Sequence, residues 1–187
     1  MVVIKLDKKT LMESARERVI ETISHNMYLY GVTPSIGRLY GTLFFNDKPM
    51  TLDEMKEELK MSKTSMSTSV RTLTDLNMVE KVWKKGIRKD LYEAKKDWYQ
   101  IFIDFFSNEW RKVISLNVKA INQSMRELKT VLEEDLTIDE KETVLHDLEK
   151  FNYAIEYYKW LNQLFDYFES NQIFDLITKQ EIEKELD

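Results

Sequence analysis

TLDEMKEELKMSKTSMSTSVRTLTDLNMVEKVWKKGIRKDLYEA, residues 51–94, decides the fold. Thr51 followed by Glu54 is a capping box: each side chain satisfies a backbone N–H of the other's turn, so a short helix opens there with Leu52, Met55 and Leu59 inward. Ser62 is a second N-cap, and the helix it starts places Met66, Ser69, Val70, Leu73 and Leu76 on one face. Asn77, which tolerates the left-handed conformation, ends that helix. The opposite face carries Lys63, Thr64, Ser67, Thr68 and Arg71, short hydroxyls between cations, where an ordinary solvated helix would carry long Glu and Lys pairs. Residues 79–94 then suggest two short strands around Lys84, Lys85 and Gly86.

Working outward toward the N-terminus, Leu11, Ala15, Val19, Ile23 and Met27 recur at steps of four with Ile20 and Tyr30 beside them, which predicts an amphipathic helix over 8–30 ending at Gly31. Thr33 as N-cap and Pro34 in the first turn open another helix, with Ile36, Leu39, Tyr40, Leu43 and Phe44 on one stripe. Gly37 and Gly41 line its other side. Glycine costs helix propensity, so close approach of another backbone or a ligand is the expected return. Asn46, Asp47 and Pro49 break the helix.

Toward the C-terminus the pattern lengthens. Ile114, Ile121 and Leu128 alternate with Val118, Met125 and Leu132 at coiled-coil spacing, a seam for another helix. Thr137 with Glu140 is a second capping box before a helix to about Ser170, and a short helix around Ile173, Phe174 and Ile177 follows. The expected architecture is mainly α: a winged helix-turn-helix domain at 32–96 with a β-hairpin wing, an N-terminal dimerisation helix at 1–31, and a C-terminal helical dimerisation domain at 97–187.

Charge supports that division. The net charge is −5, yet residues 1–96 hold 18 Lys and Arg against 13 Asp and Glu, while residues 97–187 hold 10 against 20. Nearly all the basic excess falls between Lys63 and Lys96, and a polyanion responds to the local patch. Ser62, Lys63, Thr64, Ser67, Thr68 and Arg71 are therefore the expected DNA-reading residues, because short polar and cationic side chains approach base edges and phosphates closely. Lys84, Lys85 and Arg88, with Lys89, form the tip of a wing whose phosphate contacts give affinity and salt dependence. A winged helix that binds protein through its acidic half is the rival reading, and the basic wing argues against it.

The other function classes fare worse. There is no cysteine, and His25 and His146 have no partner at metal-ligand spacing, so thiolate chemistry, a metal centre and a Ser-His engine have no basis; no enzyme and no cofactor are expected. No run approaches the roughly 18 apolar residues of a membrane span, and the N-terminal apolar stretch is too short and charged for a signal peptide, which points to the cytoplasm. One constellation stays open. Trp98, Tyr99, Phe102, Phe105, Phe106 and Trp110 start the long helix while Tyr28, Tyr30, Tyr40 and Phe44 flank the glycines; if these converge they could cage an organic cation by ring faces, and otherwise they are core.

GVTPS (31–35), GRLYGTL (37–43), MSK (61–63), SMST (65–68) and DLN (75–77) carry a specific likeness. Over roughly residues 12–115 the chain resembles the GbsR-type branch of the MarR-like repressors, regulators of glycine betaine synthesis and choline uptake. The resemblance implies a homodimeric repressor that binds a pseudo-palindromic operator and is released by choline. It also implies operator contacts from Lys63, Thr64, Ser67, Thr68 and Arg71, wing contacts from Lys84, Lys85 and Arg88, and an effector cage drawn from Tyr40, Phe44, Trp98 and Phe102. A related regulator with a different effector, or none, is the alternative within the family.

Overall fold

The computed structural model describes residues 7–180, which form two compact units, one up to Phe105 and the other from Phe106. The first unit opens with α1 (Lys8–Asn26), capped by Asp7, whose carboxylate accepts the Thr10 N–H at 2.9 Å. A single 3-10 turn (Met27–Tyr30) and left-handed Gly31 lead to α2 (Pro34–Phe44), with extended Thr33 as N-cap and Pro34 in the first turn. A two-residue strand, β1 (Met50–Thr51), precedes α3 (Leu52–Leu59), where both halves of the Thr51/Glu54 capping box are made. Then come α4 (Lys63–Asp75), β2 (Val79–Val82), β3 (Leu91–Ala94) and the start of α5 (Trp98–Val131).

The sheet is antiparallel in the order β1-β3-β2, with Val79 opposite Ala94, Val82 opposite Leu91, and Met50 opposite Tyr92. Three helices, then a hairpin held against them by a third strand, make this a winged helix-turn-helix, and the chain as a whole is mainly α. Leu39, Met55, Met66 and Leu73 are wholly buried where α2, α3 and α4 meet, with Met78 and Val79 closing the core at the foot of β2. Each such side chain contributes about 1.5–3 kcal/mol of burial.

α1 departs from its sequence pattern. The stripe Leu11, Ala15, Val19, Ile23 and Met27 was expected inside, but Leu11, Ala15 and Val19 are exposed and the face packed on α2 is Ile20, Ser24 and Met27. The glycines choose that side. A Cβ on Gly37 would lie 2.9 Å from the Ser24 Cα and from Met27, and one on Gly41 3.1 Å from Ile20, so α1 settles where α2 has no side chains. Ser24 is satisfied there by donating its hydroxyl to the Pro34 carbonyl at 2.6 Å.

The second unit holds the remainder of α5, α6 (Ile138–Glu169) and α7 (Ile173–Leu176). Thr137 and Glu140 form the capping box read from the sequence, and Asn171, left-handed, follows the end of α6. Ile114 and Val118, the start of the coiled-coil seam, pack against Leu161 and Phe165 of α6, so the helix that fills the seam there belongs to the same chain. Arg111 fastens the pair: it donates to Asn162, to Asp166 at 2.6 Å and to Glu169 at 2.8 Å, which raises its already high pKa further, the Glu169 hydrogen bond contributing most. Among the described residues no helix is long and apolar enough to cross a membrane.

Candidate nucleic-acid interface

The amphipathic pattern of α4 dictates what it shows to solvent. Met66, Ser69, Val70 and Leu73 are buried on the core side, and Ser69 tolerates burial because its hydroxyl donates to the Ser65 carbonyl at 2.8 Å. Lys63, Thr64, Ser67, Thr68 and Arg71 are all exposed on the other side. Ser62 is exposed too, but its side chain is already engaged as the cap, accepting the Ser65 N–H at 3.1 Å. Arg71 has only a loose, solvated pairing with Asp75 at 3.9 Å, so its guanidinium can exchange that carboxylate for a phosphate at little cost.

The wing follows three residues after the helix cap. Its tip is a four-residue turn, Lys84 to Ile87, in which the Ile87 N–H donates to the Lys84 carbonyl at 3.1 Å. Gly86 has φ +88° while Lys85 keeps an ordinary backbone, the geometry of a type II turn that favours glycine at its third position. Lys81 and Asp90 pair at 2.8 Å across the hairpin stem. Lys89 is tied down, donating to Asp53 in the first turn of α3 at 2.7 Å. Lys84, Lys85 and Arg88 are exposed and have no ion-pair partner among the described residues.

One carboxylate gathers these elements. Asp53 is held below its ordinary pKa first by the Lys89 hydrogen bond and charge, and more weakly by the charges of Lys63 and Lys56. The wing, the N-terminus of α4 and the N-terminus of α3 thus converge on one fully solvated acid. A further residue of the wing escaped the sequence reading: Trp83, at the end of β2, is 81% exposed. Its side-chain type alone suggested burial, and only its place between cations pointed the other way.

The aromatic groups divide. A cleft of about 500 Å³ lies between α1, the 3-10 turn, α2 and the start of α5, lined by Ile23, Met27, Tyr30, Tyr40, Met78 and Trp98 among others. Of the four aromatics implied by the family resemblance, Tyr40 and Trp98 line it. Phe44 stacks at a tilt on Trp98 with centroids 5.0 Å apart and is not a lining residue, and Phe102 is partly exposed and also outside the lining. Tyr30, which packs on Phe105 at 4.9 Å, joins the lining instead. Burial pushes the Tyr40 phenol far up, against a smaller opposing pull from a hydrogen bond with Trp98, so Tyr40 remains a neutral donor; its hydroxyl points to the Lys95 carbonyl at 3.3 Å. The lining contains no carboxylate, and its one charged residue is Arg18.

From this cleft a hydrogen-bonded chain reaches the end of α4. The Lys95 N–H donates to the Met78 carbonyl at 2.9 Å, and its ammonium donates to the Asn77 side-chain carbonyl. Asn77, left-handed at φ +58°, in turn donates to Asp104 of α5 at 2.7 Å, and Gln100 donates to the other oxygen of Asp104 at 2.7 Å. The residues that end the exposed helix are therefore fastened to the same stretch of α5 that borders the cleft. No group of three or more His, Asp or Glu that could hold a metal occurs among the described residues.

Comparison with known proteins converges on one group. The model described as the GbsR family transcriptional regulator, C-terminal helical hairpin, matches residues 98–175. YvaV, an HTH-type transcriptional regulator of Bacillus subtilis strain 168, is 44% identical over 173 residues, covering 92% of this chain and 98% of that one. The HTH-type transcriptional repressor GbsR of the same organism is 44% identical over 167 residues, covering 89% and 92%. Among solved structures, a crystal structure of a transcriptional regulator superposes with a TM-score of 0.50 at 16% identity, over 78% of this chain and 99% of that one, a likeness of fold.

Proposed function

Because the chain belongs to the GbsR family of DNA-binding transcriptional regulators and is not an enzyme, we propose that it is a homodimeric repressor of osmoprotectant genes, for choline uptake or glycine betaine synthesis, acting in the cytoplasm and released from its operator by choline. The observation that supports operator binding most strongly is the exposed row Lys63, Thr64, Ser67, Thr68 and Arg71, alongside a wing whose Lys84, Lys85 and Arg88 are unpaired. On this reading α4 enters the major groove, the wing lies along the backbone, and residues 32–96 are the reading domain. The helices at 1–31 and 97–187 serve dimerisation. Two copies related by a two-fold axis would meet half-sites about 34 Å apart, one turn of duplex.

The relative named a repressor supports the direction of control. Choline in the cleft would be held by the ring faces of Tyr30, Tyr40 and Trp98, since no carboxylate is there to share its charge. A ligand wedged there changes the distance between the two recognition helices, and the Lys95–Asn77–Asp104 chain is the route by which the end of α4 feels it. Arg18 and the absence of an acid favour a second reading in which the cleft takes a neutral or anionic apolar ligand, or the regulator works without one.

The test is a gel shift on the chain's own promoter region with and without choline, beside a titration of tryptophan fluorescence with choline and then betaine. Retarded DNA that choline releases, with a saturable change at Trp98, supports the proposal. Retardation indifferent to choline, with no saturable fluorescence change, removes the quaternary-ammonium effector and leaves the second reading.

A further inference from the structure

Trp83 is the largest apolar side chain of the wing, and it stands in water. Its indole makes no ring contact or hydrogen bond with any described residue, and Ile87, beyond the turn, is also exposed. Lys81, Lys84, Lys85 and Arg88 lie within five residues of it, and only Lys81 is spent on an internal pair. A solvated indole with nothing to pack on contributes nothing to the fold, so its place is explained by a surface that arrives from outside. That surface must suit cations and an aromatic face together.

Duplex DNA does so, because deoxyribose rings and base edges lie between the phosphates as apolar ground. An anionic membrane or an acidic protein would also draw the lysines. The wing, however, shares Asp53 with the N-terminus of the exposed helix through Lys89 and Lys63, which puts Trp83 on the hairpin next to the candidate reading face. We propose that Trp83 is a DNA-contact residue of the wing, laying its ring on the sugar–base surface while Lys84, Lys85 and Arg88 take the phosphates. This inference rests on the reading that the wing faces DNA.

The indole displaces no counterions, so its share of the affinity does not vary with salt, whereas each lysine's share does. The two contributions therefore separate in one experiment. Fluorescence anisotropy of a labelled duplex from the chain's upstream region, and of a random-sequence duplex, is measured across a salt series for the wild type, Trp83→Ala and Trp83→Phe. Trp83→Ala is expected to lose roughly tenfold in affinity with an unchanged salt slope, Trp83→Phe to recover most of that loss, and both to keep the wild-type melting temperature. Duplex is also expected to shield wild-type tryptophan fluorescence from acrylamide, and to do so much less in Trp83→Phe.

Equal affinity of Trp83→Ala and the wild type overturns the inference, as does a loss that comes with a flattened slope. Trp83 shielded by anionic vesicles and not by duplex also overturns it. A wild type that binds no duplex at all refutes the functional reading itself, which keeps the two failures distinct.

Discussion

Gly37→Ala places a methyl group where the structure has no room. Its Cβ would lie 2.9 Å from the Ser24 Cα and 2.9 Å from the Met27 Cβ and Cγ, and a backbone atom cannot rotate away. Alanine gains about 1 kcal/mol of helix propensity over glycine. Against it stand an overpacking cost of about 1–3 kcal/mol and, once α1 moves off α2, the weakening of the 2.6 Å Ser24–Pro34 hydrogen bond, about 1 kcal/mol. The net expectation is a destabilisation of about 1–3 kcal/mol. Gly41→Ala is the control, because its added methyl group meets the Ile20 side chain at 3.1 Å and a side chain can yield; propensity and crowding then offset to within about 1 kcal/mol. Urea unfolding read by far-UV circular dichroism gives both values, and thermal melts should show a fall of about 2–4 °C per kcal/mol for a chain of this size. Gly37→Ala as stable as Gly41→Ala would refute the account of how α1 is seated, and with it the position of Met27 in the cleft.

Three other outcomes follow from local geometry. Thr51→Ala removes an N-cap and should cost about 1 kcal/mol in urea unfolding, leaving the Thr137 cap as an internal reference. Asn77→Ala puts a Cβ-bearing residue without a polar side chain at φ +58° and cuts the links to Lys95 and Asp104, for a loss of about 1–3 kcal/mol, and Asn77→Gly should restore the backbone part of it. Glu54 and Glu140 are both held below their ordinary value of 4.5 by hydrogen bonds from the cap residues, led by the Thr51 backbone N–H for Glu54 and the Thr137 side chain for Glu140. Depressed carboxylates give stability that is whole above pH 4.5 and lost as pH falls through their folded values. Melting temperature should therefore decline on acidification below that point, and decline less in Glu54→Gln/Glu140→Gln.

The parts of the fold that depend on neighbouring residues in sequence were readable from the sequence. Thr51 with Glu54, Ser62 with the Ser65 amide, Thr137 with Glu140 and left-handed Asn77 are contacts within one turn of chain, and the structure makes each of them. Gly37 and Gly41 announced a close approach without saying of what. The structure supplies the answer in Ser24, Met27 and Ile20 of α1, and the same contact corrects the α1 stripe, whose periodicity alone could not show which of two apolar edges would meet the glycines. β1 has two residues and exists only because β3 offers it a partner, so no period could reveal it. The exposure of Trp83, the capture of Lys89 by Asp53 and the division of the aromatics between cleft and flank are tertiary outcomes. The cations of α4 and the wing were legible because solvated charge needs no tertiary partner to be placed.

The central claim is that the outer face of α4 and the wing tip meet phosphates together. The most direct measurement of it is the slope of log affinity against log salt for the upstream duplex, in the wild type and in Arg71→Ala/Lys85→Ala. Two lost phosphate contacts should weaken binding and make the slope shallower by about two. Parallel lines for the two proteins would contradict the account.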